Sequence, residues 1–315
     1  MLDALTLDQM RMFVAVAEEG SFRAAAKRLV RAQSAVSHAI AGIEAQLGVA
    51  LFDRSGHRPT LTREGQALLG DVRGVLLKVD ILRARARGIG EGVELGLAIV
   101  VDTLFPPVVA GAALGDMHAR YPAVGVRMEV APLGGPLAAI AEGRCALGIT
   151  VGETLRDPRI AREFLTTLPM VAVAAADHPL AEMARRGRPI GAAELADQLQ
   201  IVLEDPTPLS GARDIGVLSP GTWRVSSQEG KHALIRAGVG WGRLPLWAVE
   251  QDLAEGRLVR VPAAALGPDG EATLQAYLAQ RTDRPLGPAG RAFREALLRR
   301  VGRADATAEE GSGGS

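Results

Sequence analysis

The first third of the chain carries hydrophobic positions at the spacing of three successive helices. Apolar residues recur every three or four positions, the period of one helix face. Ser21 precedes the second set as an N-cap, and Gly48 follows the third where a helix ends. The pattern therefore predicts three short helices packed on one core. The three sets are Leu7, Met10, Val14 and Ala17; Phe22, Ala25, Ala26 and Leu29; and Val36, Ile40, Ile43 and Leu47.

The third predicted helix has an outward face that suits a DNA groove. Its polar side chains are Gln33, Ser34, Ser37 and His38, and no acidic residue occurs before Glu44. Small residues let a helix approach the major groove closely, and Gln, Ser and His side chains can hydrogen-bond to base edges. The pattern predicts a recognition helix; the alternative is an ordinary solvated helix face.

A basic turn follows the third helix at residues 51–61. It holds Arg54 and Arg58 around Gly56. Arginine is favoured in the negative potential of the minor groove, so the turn predicts a wing beside the recognition helix. Arg58 is the better candidate for a groove contact, because Arg54 has the alternative of a surface salt bridge with Asp53.

From Thr62, a helix cap, the hydrophobic pattern changes to heptad spacing, which continues for about three heptads. This spacing predicts a linker helix over residues 62–90 that pairs with a second copy of itself, and the glycines of 88–92 predict a hinge after it. The alternative is a helix buried inside one large domain. The heptad positions are Leu68, Val72, Val75, Val79 and Leu82.

The remaining two thirds of the chain alternates strand and helix signals, the pattern of a doubly wound α/β sheet. The predicted strands are 93–100, 124–130, 145–151, 170–175, 200–203, 223–226 and 272–279. The predicted helices are 106–120, 136–142, 192–196, 229–237, 246–254 and 290–301.

Composition narrows the class of protein. The net charge is zero, but residues 1–90 carry 13 Lys and Arg against 9 Asp and Glu. A basic N-terminal part, called here the basic head, is therefore followed by a mildly acidic remainder. This distribution suits a protein that binds DNA through its N-terminal part. No apolar run has the length of a membrane span. A single cysteine excludes a disulfide framework and fits a reducing cytoplasm. The acidic and then Gly/Ser-rich residues 304–315 predict a disordered tail.

The N-terminal motifs resemble the winged helix-turn-helix of the LysR-type transcriptional regulators, without a gap for about 60 residues. Ala32 stands where that family usually has Ser. Looser phrases at 121–122, 177–180, 237–240 and 253–258 occur in the order of the family's effector module. The matching runs are 13–22, 25–29, 33–37, 43–54 and 61–65.

The resemblance implies an all-α winged helix-turn-helix at 1–61, the linker helix, and a two-lobed α/β effector-binding domain at 91–303. Lobe one would be about 93–165 plus 269–301, and lobe two about 166–268. It also implies that Gln33, Ser34, Ser37 and His38 contact DNA, that a small-molecule effector binds between the lobes, and that the protein is a homodimer or homotetramer. RNA polymerase is a further candidate partner.

Effector contacts are expected where strands end and helices begin. Asp102 and Thr103 precede one predicted helix, and Gly134 precedes the next. The family resemblance adds Trp241 in lobe two. The alternatives are a solvated loop charge for Asp102, a plain helix cap for Thr103 and a core position for Trp241.

The sequence thus predicts a cytoplasmic, effector-responsive DNA-binding regulator and not an enzyme. It contains no GxSxG, Walker, HExxH or CxxC motif, and it predicts no cofactor and no metal. The alternative from another class is a solute-binding protein, or an enzyme of the periplasmic-binding fold, that carries a basic head.

Overall fold

The computed structural model describes residues 5–56, 58–90, 92–188, 190–211, 215–267 and 270–312. The chain forms two compact units that divide between Arg87 and Gly88. The elements of the first unit are α1 (Leu7–Glu19), α2 (Phe22–Leu29), α3 (Gln33–Leu47), β1 (Phe52–Asp53), β2 (Thr60–Leu61) and α4 (Arg63–Gly90).

The ends of the first helices are set by the residues that the sequence indicated. Ser21 caps α2, its hydroxyl accepting the Ala24 amide at 3.3 Å. Gly48 ends α3 with φ of 70°, a left-handed conformation that costs glycine little. Thr62 caps α4 by accepting the amide of Gly65 at 2.9 Å. The three predicted short helices and the cap of the linker helix are therefore confirmed.

The core of the first unit is built from the inward faces of all four helices. Phe13, Ile40 and Ile43 are almost fully buried, and the rings of Phe13 and Phe52 meet edge to face at 5.6 Å. Apolar burial of this kind stabilises a small helical domain by about 25 cal/mol per Å² of area removed from water. The wing is tied to this core because Phe52 is both a β1 residue and a core residue.

Helix α4 has two adjacent apolar faces instead of one heptad seam. Leu69 and Val72 are buried against the core of the first unit, with Leu76 packed beside them. The prediction that Val72 lies in a dimer seam is therefore wrong, because its side chain is occupied by its own domain. Val75 and Leu82 remain 40% and 65% exposed on the neighbouring face.

Helix α4 extends into the glycine-rich segment 88–92, whose role as a hinge stays a prediction. Helix α4 continues to Gly90, through the first glycine of that stretch. Glu91 lies outside the described residues, and Gly92 adopts a left-handed φ of 71°. The glycine content alone did not end the helix, because a helix that is already formed tolerates Gly at a cost of about 1 kcal/mol.

Lobe one of the second unit is a mostly parallel sheet flanked by helices. Strand β3 pairs in parallel with β4 on one side and β5 on the other, and β11 adds to β5 antiparallel. Its elements are β3 (Gly96–Asp102), α5 (Pro107–Arg120), β4 (Gly125–Ala131), α6 (Gly135–Ala141), β5 (Leu147–Val151), β11 (Glu271–Arg281) and α11 (Pro288–Ser312).

Lobe two continues from lobe one through a single long strand. Strand β6 runs from Ile160 to Ala175, ten residues earlier than predicted, and pairs with β11, β9 and β10. Strands β9 and β10, of four and three residues, escaped prediction. The elements are β6, α7 (Pro179–Arg185), α8 (Ala192–Ala196), β7 (Gln200–Leu203), β8 (Thr222–Val225), α9 (Gln228–Arg236), β9 (Gly242–Pro245), α10 (Leu246–Ala254) and β10 (Leu258–Arg260).

The C-terminal segment continues helix α11 instead of forming the disordered tail predicted for 304–315. The helix extends to Ser312, and residues 313–315 lie outside the described residues. Extending an existing helix needs no new nucleus, and the Ala, Asp and Glu residues of this segment do not break one. The acidic composition was therefore misleading at this position.

Gly65 provides a test of how tightly the linker helix packs on the wing. A Cβ atom at this position would lie 2.1 Å from the carbonyl oxygen of Leu51, a backbone atom that cannot move aside alone. We expect Gly65→Ala to destabilise the first unit by about 1–3 kcal/mol. The measurement is thermal unfolding by far-UV circular dichroism.

The matched control is Gly70→Ala in the same helix, where an added Cβ meets nothing within 4 Å. It should stabilise the unit by about 0.5–1 kcal/mol, because alanine loses less conformational freedom on folding. Tryptophan fluorescence reports the second unit separately, because all three tryptophans lie there. Equal melting of the two variants would contradict the close packing at Gly65.

Candidate functional site

Helix α3 presents the predicted polar face to solvent. Gln33, Ser34 and His38 are exposed and Ser37 is half-buried, while Val36 on the opposite side is fully buried. Ala32 at the N-cap position has no side-chain oxygen, so no side chain caps the first turn of α3. Free amides at a helix start attract a phosphate group. The face therefore combines groups that can bond base edges with a helix start whose uncapped amides are able to bind a phosphate.

The wing places its two arginines in different surroundings. Arg54 forms an ion pair with Glu44 of α3 at 3.0 Å, and its guanidinium lies 4.9 Å from the ring centre of Phe22. It does not pair with Asp53, whose carboxylate accepts the amide of Ser55 at 2.8 Å. Arg58 is exposed at the turn between β1 and β2. Arg54 thus braces the wing against α3, whereas Arg58 points its charge toward solvent.

A cavity of about 200 Å³ lies between the two lobes of the second unit. Met170 of β6 and Leu274 of β11 line it where these strands cross from one lobe to the other. Leu133 lines it from lobe one and Val202 from lobe two. Ligand sites of α/β folds are mostly apolar clefts with a few polar groups, and this cavity has that character.

Two cationic side chains of lobe two face the same cavity. Lys231 of α9 is only 7% exposed. Its burial, and to a smaller extent the positive charge of Arg243, lowers the pKa of Lys231 to about 7. Burial also lowers the pKa of Arg243 in β9. The Nε and Nη2 atoms of Arg243 are buried and have no hydrogen-bond partner among the described residues. This part of the lobe-two wall is thus basic, and no described carboxylate compensates it.

Sequence reasoning missed both cations, although one signal was present. Gln228, Lys231 and Ile235 occupy the buried side of α9. A lysine on the apolar stripe of an amphipathic helix is unusual, since lysine is almost never fully buried without a partner. Arg243 gave a weaker signal as the single charge of the short strand β9.

Gln200 fastens the loop that covers one side of the cavity. Its side-chain oxygen accepts the amides of Leu218 and Ser219, at 2.8 and 3.1 Å, and its amide group donates to the carbonyl of Gly216 at 2.8 Å. Gln200 and Gly216 both line the cavity. Backbone groups of the loop therefore satisfy the side-chain oxygen of Gln200 and one N–H of its side-chain amide.

Asp102 and Thr103 lie at the floor of the cleft and not in its wall. Asp102 is 1% exposed, and its carboxylate accepts the amides of Leu104 at 2.9 Å and Val151 at 3.3 Å. The interpretation of Asp102 as a solvated loop charge is therefore wrong. Thr103 does not cap α5, whose N-cap is Pro106. Leu104 and Val151, the partners of Asp102, are the residues that reach the cavity.

The other two predicted effector residues divide between the cleft border and the core. Gly134 is the N-cap of α6, and a Cβ there would lie 2.2 Å from the hydroxyl oxygen of Thr207 in lobe two, so the lobes touch at this glycine. Its neighbour Leu133 lines the cavity with φ of 53°, a left-handed conformation that is rare for leucine. Trp241 is fully buried in the core of lobe two, so its assignment to the effector site is wrong.

The described parts of the chain contain neither a candidate metal-binding group nor a candidate membrane-spanning helix. No group of three or more His, Cys, Asp and Glu residues there could hold a metal ion. No helix among the described segments is long and apolar enough to cross a membrane.

Comparison with known proteins gives a consistent family. Residues 7–66 match the family model described as bacterial regulatory helix-turn-helix protein, lysR family, and residues 91–302 match the LysR substrate binding domain. The chain is 33% identical over 293 residues to the probable HTH-type transcriptional regulator YhaJ of Escherichia coli K12, covering 89% of this chain and 92% of that protein.

Two further similarities cover most of the chain. It is 31% identical over 265 residues to the uncharacterised HTH-type transcriptional regulator YeeY of the same strain, covering 82% of this chain and 84% of that protein. Among solved structures it resembles a hydrogen-peroxide-bound cysteine-to-serine mutant of OxyR from Corynebacterium glutamicum. That likeness has a TM-score of 0.55 and 23% identity, covers 98% of this chain and 97% of that one, and supports the fold alone.

The buried carboxyl of Asp102 predicts a pH-dependent stability. Burial raises its pKa from 3.8 to about 7, against the opposing effect of its two backbone hydrogen bonds. Between these values the folded state binds the proton more tightly than the unfolded state, so stability falls as pH rises. From about pH 4 to 6.5 we expect the wild type to lose up to about 3 kcal/mol relative to Asp102→Asn.

The measurement is urea unfolding followed by tryptophan fluorescence, which reports the second unit. Asp197→Asn, at an exposed position, is the matched control and should keep the wild-type slope. Parallel pH profiles for the wild type and Asp102→Asn would contradict the shifted carboxyl.

Proposed function

Because the chain belongs to the LysR family of bacterial transcriptional regulators, we propose that it reads an operator through α3 and responds to a small molecule bound between its two lobes. The observation that carries the proposal is the pairing, in one chain, of an exposed polar recognition face with a partly apolar cleft that holds one buried and one half-buried cation. A solute-binding protein or an enzyme with a basic head is not favoured.

DNA recognition is assigned to the side chains on the outward face of α3. Gln33, Ser34, Ser37 and His38 would contact base edges and phosphates in the major groove. Arg58 would enter the minor groove from the wing, where arginine is favoured by the negative potential. Arg54 would act mainly by holding the wing against α3, because its guanidinium already has Glu44 as a partner.

Effector sensing is assigned to the cavity between the lobes. A ligand that touches both lobes stabilises the arrangement that it prefers, and only by the difference of its affinities for two arrangements. Such coupling is typically about 1–3 kcal/mol. Asp102, Thr103 and Gly134 would contribute indirectly, by setting the backbone positions of the neighbouring residues Leu104 and Leu133 that line the cavity.

Self-association is assigned to the exposed face of α4. Val75, Val79 and Leu82 fall on one side of the helix, within about 60° of each other at 100° per residue. Leu68 lies on the same side, but its side chain packs partly against the core of the first unit. We infer that this face pairs with a second copy, as a dimer or within a tetramer. As a non-enzymatic regulator the protein would act in the cytoplasm, where its DNA lies, with RNA polymerase as a further partner.

The recognition face predicts the effect of a charge substitution. Ser37→Glu places a negative charge against DNA, and Gln33→Ala removes a side chain that can bond a base edge. Each should weaken binding to the chain's own upstream intergenic DNA about ten-fold or more, since one base contact accounts for about 1–3 kcal/mol. The measurement is a gel shift at fixed salt.

Gln46→Glu is the matched control, because it adds the same charge to an exposed position of α3 away from the outward face. It should bind DNA nearly as the wild type does, and all three variants should keep the wild-type melting temperature. Normal binding by both Ser37→Glu and Gln33→Ala would mean that α3 does not read the operator.

The exposed face of α4 predicts which substitutions break the oligomer. Val75→Asp combined with Val79→Asp would bury like charges against each other in the pair and should dissociate it. Leu77→Asp is the matched control, because Leu77 is 61% exposed and lies about 200° around the helix from Val75 at 100° per residue. Light scattering at micromolar concentration measures the mass; a monomeric wild type, or dissociation by Leu77→Asp alone, would contradict this seam.

A further inference from the structure

We propose that the ligand of the inter-lobe cavity has a compact apolar body and a single anionic group, and that Lys231 and Arg243 together hold that group. The inference rests on the proposed effector cleft and names the chemical class of molecule that the cleft accepts. It is carried by the placement of two neighbouring cations, Lys231 buried and Arg243 half-buried, and by the apolar character of the walls opposite them.

The two cations come from adjacent elements of lobe two and face one space. Lys231 is on α9 and Arg243 is on β9, and both line the cavity. Gly242, next to Arg243, lies so close to the lysine that a Cβ there would be 3.1 Å from Lys231 Cε. Strand and helix therefore converge at this point, and each of the two positive charges raises the cost of the other.

No carboxylate in the described residues around the cavity neutralises this pair. Asp102 gives both of its oxygens to backbone amides at the cleft floor. Glu153, the acidic residue of the wall, accepts the Tyr277 hydroxyl at 2.6 Å and lies 3.9 Å from Arg156 at the exposed rim. A buried charge without a partner is costly, whereas a bound anion forms charge-assisted hydrogen bonds with both cations. Among the described residues, the role of counter-ion is thus left to a ligand.

The rest of the wall restricts the ligand's body. Apart from Glu153, Thr154 and Gln200, the other side chains of the wall are apolar, among them those of Leu104, Leu133, Met170, Leu203 and Leu274. Its volume of about 200 Å³ is below the range of about 300–1,000 Å³ usual for drug-sized ligands. A polyphosphate or a sugar would leave polar groups unpaired against the apolar walls. A short carboxylate with a hydrocarbon body places its charge beside the two cations and its apolar part against the apolar walls.

The experiment compares carboxylates with their own neutral amides. Acetate, butanoate, hexanoate and cyclohexanecarboxylate are each titrated into the full-length protein beside the matching primary amide. Binding is followed by the thermal unfolding transition in tryptophan fluorescence, because all three tryptophans lie in lobe two. We expect at least one carboxylate of the larger three to bind ten-fold or more tightly than its amide.

The variants Lys231→Met and Arg243→Met remove one cation each at similar side-chain length. Each should lower the affinity for that carboxylate ten-fold or more and leave the affinity for the amide within two-fold. Arg236→Met is the matched control, because Arg236 lies on the same helix α9 and is exposed; it should keep the carboxylate response. Amides that bind as well as carboxylates throughout the panel would overturn the inference, whether or not the variants fold.

Undiminished carboxylate binding by both variants would also overturn it. The gel shift with upstream DNA separates this inference from the function on which it rests. Lys231→Met should bind that DNA as the wild type does, without ligand. A protein that binds carboxylates selectively but no DNA would contradict the regulator function and support the anion site. A protein that binds DNA but no carboxylate would support the regulator function and overturn the anion site.

Discussion

The antiparallel pairing of β6 with β11 is the interaction on which the effector-binding domain depends. The two strands pair from Ile160 with Arg281 at one end to Val171 with Glu271 at the other, and this ladder passes through both lobes. The irregularity at Ala276 and Tyr277 bends it between them. Every other strand of the long sheet joins this pair directly or through neighbouring strands. The cleft exists because two lobes grow from the opposite ends of one ladder.

The cleft combines two sets of contacts with opposite consequences for stability. Where the lobes touch, groups are satisfied: the Trp247 indole donates to the carbonyl of Leu104 at 2.9 Å, and Gly134 leaves room for the loop at Thr207. In the cavity, Lys231 is buried and Arg243 half-buried, and removal from water makes both charges costly. A domain built in this way is stabilised by its ligand, because binding removes that cost only in the folded state. The free energy of ligand binding therefore also adds to the stability of the domain.

Helix α4 carries apolar residues on two faces, one buried in the core of its own unit and one exposed. Leu69 and Val72 complete the core of the DNA-binding unit, and Val75 and Leu82 on the neighbouring face stay exposed. Because the two faces are adjacent on one rigid helix, a partner that docks on the exposed face is held in a defined orientation to the core of the DNA-binding unit, and so to α3. The heptad pattern alone does not separate the two faces, since both contribute apolar residues at three- and four-residue spacing.

The sequence by itself determined the winged helix-turn-helix, because its information is local: N-caps at Ser21 and Thr62, a left-handed glycine at 48 and helical periodicity between them. It also indicated the alternation of strands and helices in the second unit. Only the tertiary structure decided which side chains meet. Asp102 is buried because the ends of β3 and β5 lie side by side, Trp241 enters the lobe-two core, and Lys231 reaches Arg243 because α9 packs beside β9. Such meetings depend on which strands become neighbours across long stretches of chain, and no local pattern of residues encodes that choice.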